Sequence, residues 1–176
     1  MEEELRYPIG RYKVPYEFTP QILKNYISEI ESLPFKLKQE VTHLPEEQLD
    51  TTYRPGGWTI RQVVHHLADS HMNALTRVKL ALTEETPVIK PYMENYWAEL
   101  ADNKLPIKTS MLILEGVHER WSVLLKSFTE REWKKSFIHP EKGRELTLYE
   151  STGSYAWHGN HHLAHITQLK QRNNWR

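Results

Sequence analysis

The chain contains no cysteine. That excludes a disulfide framework, a thiolate nucleophile and any thiolate-ligated zinc or iron–sulfur site, so a bound metal must rest on histidine, carboxylate or water. Charge of one sign is not in surplus either: 23 Lys+Arg face 23 Asp+Glu. A nucleic-acid binder draws most of its affinity from neutralising phosphates, and with no basic excess or basic run, nucleic acid is not an expected partner. No apolar run approaches the length of a membrane span. The first ten residues, MEEELRYPIG, are acidic and lack the apolar stretch of a signal peptide. The expectation is a cytoplasmic protein with no membrane partner. Glycine-rich phosphate loops are missing: Gly56-Gly57 reads as a turn before a helix, without a lysine in P-loop spacing. No G-x-S-x-G elbow is present.

What remains is a chain of 176 residues, 39% hydrophobic and 26% charged, long enough for one domain with a real core. Residues 1–18 hold two prolines and a glycine. They read as an extended N-terminal arm, tied down by Tyr7, Ile9, Tyr12 and Tyr16, ahead of a single domain over 19–176. The spacing of apolar residues predicts helices near 19–41, 59–84, 110–128 and 147–172. Thr59 with Gln62, and Thr147 with Glu150, form capping boxes at two of the starts. Pro34 should kink or interrupt the first helix. The 86–108 connection carries three prolines with Tyr92, Tyr96 and Trp97 and should enclose a short helix, and a short hairpin is expected within 129–146. The fold class expected is all-α: a four-helix bundle with long crossover loops.

Ten histidines are the one compositional surplus. His65, His66 and His71 lie on the second helix. His158, His161, His162 and His165 lie on the fourth. Histidines four apart share a helix face and can chelate one ion, a spacing met by His158/His162 and by His161/His165. At about 100° per residue, His162 falls near the centre of the fourth helix's apolar stripe, His158 and His165 fall along its margin, and His161 points well away. His158 with His162 is therefore the inward pair. On the second helix His71 is mid-stripe, with His65 and His66 off it on opposite sides, so spacing alone leaves the third ligand open. Gly159 stands where a zinc-protease motif would carry its glutamate, which argues against a peptidase of that type. Asp69, three residues after His66, is either a group orienting an imidazole or a solvated helix residue. The expected centre holds one divalent ion, zinc first and nickel second, near the end of the bundle.

Gly57-Trp58-Thr59, Gln62, His66-Leu67-Ala68-Asp69 and the His158–His162 stretch resemble the DinB/YfiT-like family of bacterial metal-binding bundles. The resemblance extends over the chain through the YPIG arm, LDTTYRPGGWTIRQVVHHLADSHMN and YAWHGNHHLAHITQL. It implies an ion bound by His66, His158 and His162, with His165 where relatives often carry Gln. It also implies a metal-dependent hydrolase acting on a small molecule.

 The same resemblance implies association as a homodimer. Two further readings follow from it: a metal-dependent S-transferase that uses a low-molecular-weight thiol such as bacillithiol, and a non-catalytic metal-binding module of the stress response.

Overall fold

A computed structural model of the chain describes residues 2–175. The elements in order are α1 (Glu2–Arg6), α2 (Pro20–Val41), α3 (Glu46–Leu49), α4 (Ile60–Thr83), α5 (Glu94–Trp97), a 3-10 turn (Ala101–Lys104), α6 (Lys108–Lys126), α7 (Glu130–Trp133), β1 (Ser136–His139), β2 (Arg144–Thr147) and α8 (Leu148–Arg172). The four long helices α2, α4, α6 and α8 are those expected from the apolar spacing, with α6 shifted toward the N-terminus. The sequence supplies their starts. Thr19 accepts a hydrogen bond from the Ile22 amide ahead of Pro20. Thr59 and Thr147 head the two capping boxes, each satisfying amides that a helix start would otherwise leave unpaired.

The helices form a ring in which α2 packs on α6 and α8, and α4 packs on α6 and α8. Consecutive long helices α2 and α4 therefore lie diagonally, as do α6 and α8. Each diagonal is bridged by a long connection, and a two-helix turn could not do this. The second bridge carries the expected hairpin, β1 pairing antiparallel with β2 from Ser136↔Thr147 to His139↔Arg144. Its turn closes at Gly143, whose φ of 60° suits glycine. Ile138 joins the 86–93 stretch, donating to the Pro87 carbonyl and accepting from the Ile89 amide.

The apolar interior falls into two clusters. One gathers Leu33, Leu37, Val63, Leu67, Leu114 and Ile166. The other gathers Ile30, Val78, Trp121, Leu125, Phe137 and Leu148. Each fully buried leucine or isoleucine contributes roughly 1.5–3 kcal/mol. No helix among the described residues is long and apolar enough to cross a membrane.

Three expectations are corrected. The arm is not extended throughout, since α1 occupies Glu2–Arg6. Tyr7 and Tyr12 anchor it against His161 and Trp157, but Ile9 and Tyr16 are exposed. Pro34 does not interrupt α2, which runs through it to Val41. Lacking an amide hydrogen, Pro34 leaves the Ile30 carbonyl without its helical donor, and His118 Nδ1 from α6 takes that place.

Candidate metal centre

His66 on α4 and His158 and His162 on α8 come together between the two apolar clusters. Each offers one ring nitrogen, and these lie within 4.8 Å of one another. The adjacency of α4 and α8 makes this meeting possible, and the i, i+4 spacing of His158 and His162 turns both toward it. The site is thus at mid-height, not near the end of the bundle. His158 and His162 fall in the middle of α8, and apolar layers lie to either side. Trp58, held just ahead of the α4 cap, covers the group: its ring lies 4.6 Å from that of His66 and 6.2 Å from that of His162.

Burial dictates the protonation of all three. Desolvation pushes His66 down to about 4, and burial followed by the neighbouring histidines holds His158 and His162 well below the ordinary range. All three are neutral at pH 7, the form in which imidazole donates a lone pair to a metal.

A line of hydrogen bonds decides which nitrogen of His158 is free. The Ile30 carbonyl can only accept, so His118 Nδ1 carries the proton. Its Nε2, then a lone pair, accepts from His71 Nδ1 at 2.7 Å. His71 Nε2 in turn accepts from His158 Nδ1 at 3.1 Å. With one proton per neutral ring, His158 Nε2 is left as a bare lone pair. It faces His66 Nε2 at 3.2 Å, close to the ~3.4 Å edge of a tetrahedron with nitrogens about 2.1 Å from its centre. His162 Nδ1 is buried without a partner. The donor set therefore fits a divalent ion better than it fits a closed hydrogen-bond network.

The other histidines have other work. His65 uses both nitrogens, contacting Ser110 Oγ at 2.6 Å and the Leu105 carbonyl at 3.0 Å. His71 also uses both, so the helical wheel's mid-stripe candidate lies behind a ligand position instead of at one. His165 stacks on Tyr53 at 3.9 Å and donates from Nε2 to the Arg6 carbonyl. His161, expected to point away from the apolar stripe, stands outside the group of three but is buried: the arm covers its face, and its ring stacks on Trp157 at 4.5 Å. Asp69 is raised to about 6 by burial and then by Asp102, and no histidine hydrogen bond engages it. Sequence reasoning passed over His118 and took Trp58 only as part of a resembling motif, with no role at the site. Pro34 was the available signal for the first, since a proline inside a buried helix demands a donor for the carbonyl four residues back. Gly159 also has a packing reason: a Cβ there would meet Leu33 Cδ2 at 2.5 Å.

Two cavities meet at the group. One, of about 360 Å³, is lined by all three histidines together with Trp58, Arg54 and Glu94. The other shares His66, His158 and Glu94 and extends toward the hairpin. α5, which bears Glu94, is held to α4 by Gln62 Nε2 donating to the Ala98 carbonyl at 3.0 Å.

A diagonally connected bundle around a buried histidine layer is the architecture of a helical protein with a candidate metal centre. The chain belongs to the DinB superfamily, whose profile matches residues 30–166, and to its YfiT-like branch. It is 54% identical over 170 residues to an Oceanobacillus iheyensis protein named "Putative metal-dependent hydrolase", covering 97% of this chain and 98% of that one. A Bacillus mycoides protein with the same description is 51% identical over 173 residues, covering 98% and 99%. The structure of YfiT from Bacillus subtilis, described as "a probable metal-dependent hydrolase with an unusual four-helix bundle topology", superposes with a TM-score of 0.95 at 48% identity, covering 98% of this chain and 99% of that one. A mycothiol-dependent maleylpyruvate isomerase, 17% identical with a TM-score of 0.60 over 79% of this chain and 60% of its own, shares the fold alone.

Proposed function

We propose that this protein is a metal-dependent hydrolase of a small molecule, with His66, His158 and His162 as the ligands of one divalent ion, zinc first and nickel second. The observation that carries the reading is the convergence of three neutral imidazoles on one point at the wall of an open cavity. An ion held there by three protein ligands supplies a Lewis acid that acidifies water at its open position. The chain's own residues do the rest. The hydrogen-bond line through His71 and His118 keeps the His158 ring in one tautomer and one orientation. Trp58 keeps bulk water off one side of the imidazoles. Glu94, an exposed carboxylate lining both cavities, is placed to take a proton at its Oε atoms.

The test begins with protein purified without added metal and assayed by elemental analysis, then screened against esters and amides with and without low-molecular-weight thiols. The expected result is one equivalent of metal and thiol-independent turnover that a chelator abolishes and zinc restores. Glu94→Gln should keep its metal and lower kcat by about 100-fold or more. Turnover that requires a thiol and an electrophile would replace this reading with the S-transferase. Metal without turnover would replace it with the non-catalytic module.

Association as a homodimer belongs to the same proposal. Val88, Met93, Tyr96 and Leu100 on the α4–α6 connection are exposed, which is apolar surface a partner copy could cover. Sedimentation at micromolar concentration should give twice the 21.0 kDa chain mass, and a purely monomeric species would remove the dimer.

A further inference from the structure

The cavity that leaves His66 and His158 toward the hairpin has a volume of about 230 Å³. Its far end is positively charged. Arg77, on α4, is only 7% exposed. Its Nη1 donates to the Tyr155 hydroxyl at 3.1 Å and its Nη2 to the Lys90 carbonyl at 3.3 Å. Its Nε is buried with no partner. None of the ion pairs among the described residues involves it. Guanidinium stays ionised at any ordinary pH, and a charge taken out of water without a counter-charge is costly.

Two neighbours on the hairpin side register the same field. Lys142 is held below its ordinary range by partial burial and then by the Arg144 and Arg77 charges. His139 is held down by partial burial and then by Arg77 and Lys142, and its Nδ1 is also buried without a partner. The cavity has two carboxylates, and neither neutralises Arg77. Glu150 is committed to Arg144 at 2.9 Å and to the α8 cap. Glu94 lines this cavity and the neighbouring one and makes no ion pair with Arg77. The arrangement is a cation without an ion-pair partner in a small cavity whose wall also carries two of the three lone-pair donors, His66 and His158.

We infer that this cavity is a binding site for an anionic group of the substrate, a carboxylate, sulfonate or phosphate seated on Arg77, which holds the bond to be cleaved beside His66, His158 and His162. The position of the cleaved bond rests on the hydrolase reading. The anion seat does not, because it is built from Arg77 and the hairpin and needs no metal.

The test separates the two. In chelator-stripped protein, inorganic phosphate is titrated while the Arg77 Nε–Hε signal is followed by ¹H–¹⁵N NMR. The expected result is a saturable shift of that signal. Arg77→Lys, which keeps the charge, should bind phosphate detectably but more weakly, and Arg77→Met should weaken it by about tenfold or more, the loss of one charge-assisted contact. No saturable shift in the unsubstituted protein overturns the proposal without recourse to any variant, as does undiminished binding by a folded Arg77→Met. With metal loaded, KM should be lower for an ester bearing a free carboxylate than for its neutral amide counterpart, and Arg77→Met should erase that preference while leaving the metal content at one equivalent. Anion binding in stripped protein with no hydrolysis in loaded protein would keep the seat and remove the hydrolase.

Discussion

His162→Ala should leave the purified protein with less than about a tenth of an equivalent of divalent metal, because losing one of three protein ligands costs more than the 10–100-fold typical of losing a group behind a ligand. The substitution dismantles the chelate that α8 provides as one rigid element, leaving one imidazole on each of two helices. His161→Ala, one residue away, should retain metal. Its ring packs on Trp157 and Tyr7, so its removal loosens the arm instead. Elemental analysis of the two variants beside the unsubstituted protein reads the comparison directly. A site emptied by His161→Ala and kept by His162→Ala would move the pair to His161 and His165.

Acid should unfold the metal-free protein over a narrow range below pH 6.5. Burial holds His66, His118 and His161 at about 4 and His165 at about 3, while an unfolded imidazole titrates near 6.5. As the pH falls through 6.5, the unfolded chain takes up protons that the folded chain refuses. Stability is therefore fully present above about 6.5 and drains away until the folded histidines titrate as well. Each such group removes roughly 1 kcal/mol per pH unit in that window, against a total stability of about 5–15 kcal/mol for an ordinary domain. Urea midpoints at pH 7.5, 6 and 5 should fall steeply and together with the circular-dichroism signal. A midpoint unchanged between pH 7.5 and 5 would mean that these rings are not held neutral by burial.

Much of the fold was legible in the sequence because helices write themselves locally. The capping boxes at Thr59 and Thr147 and the apolar spacing placed the long helices to within a few residues. The facing of His158 and His162 was legible for the same reason, since one side of α8 is more apolar than the other. α4 gave no such guidance. Its stripe centres on His71, and His65 and His66, off that stripe on opposite sides, are buried all the same, so the stripe does not choose among them and His66 could be preferred over His65 and His71 only by resemblance. The diagonal connections were not legible, because which helices touch is decided by tertiary packing. The burial of His161 was not legible because the helical wheel treats a helix as if nothing lay over its polar side, whereas the arm does. The site's height in the bundle was likewise invisible, since it depends on where α4 and α8 cross.

Pro34 is on a helix that contributes no ligand, yet the residue bears on the site through the carbonyl it leaves free. An amide at position 34 would reclaim the Ile30 carbonyl for the helix, compete with His118 for it, and remove the anchor that fixes the direction of every hydrogen bond from there to His158. Positions 34, 118, 71 and 158 therefore form one unit of inheritance across four helices. A change at any one alters which residues are tolerated at the others, and the proline at one end constrains how the histidine at the other can diverge.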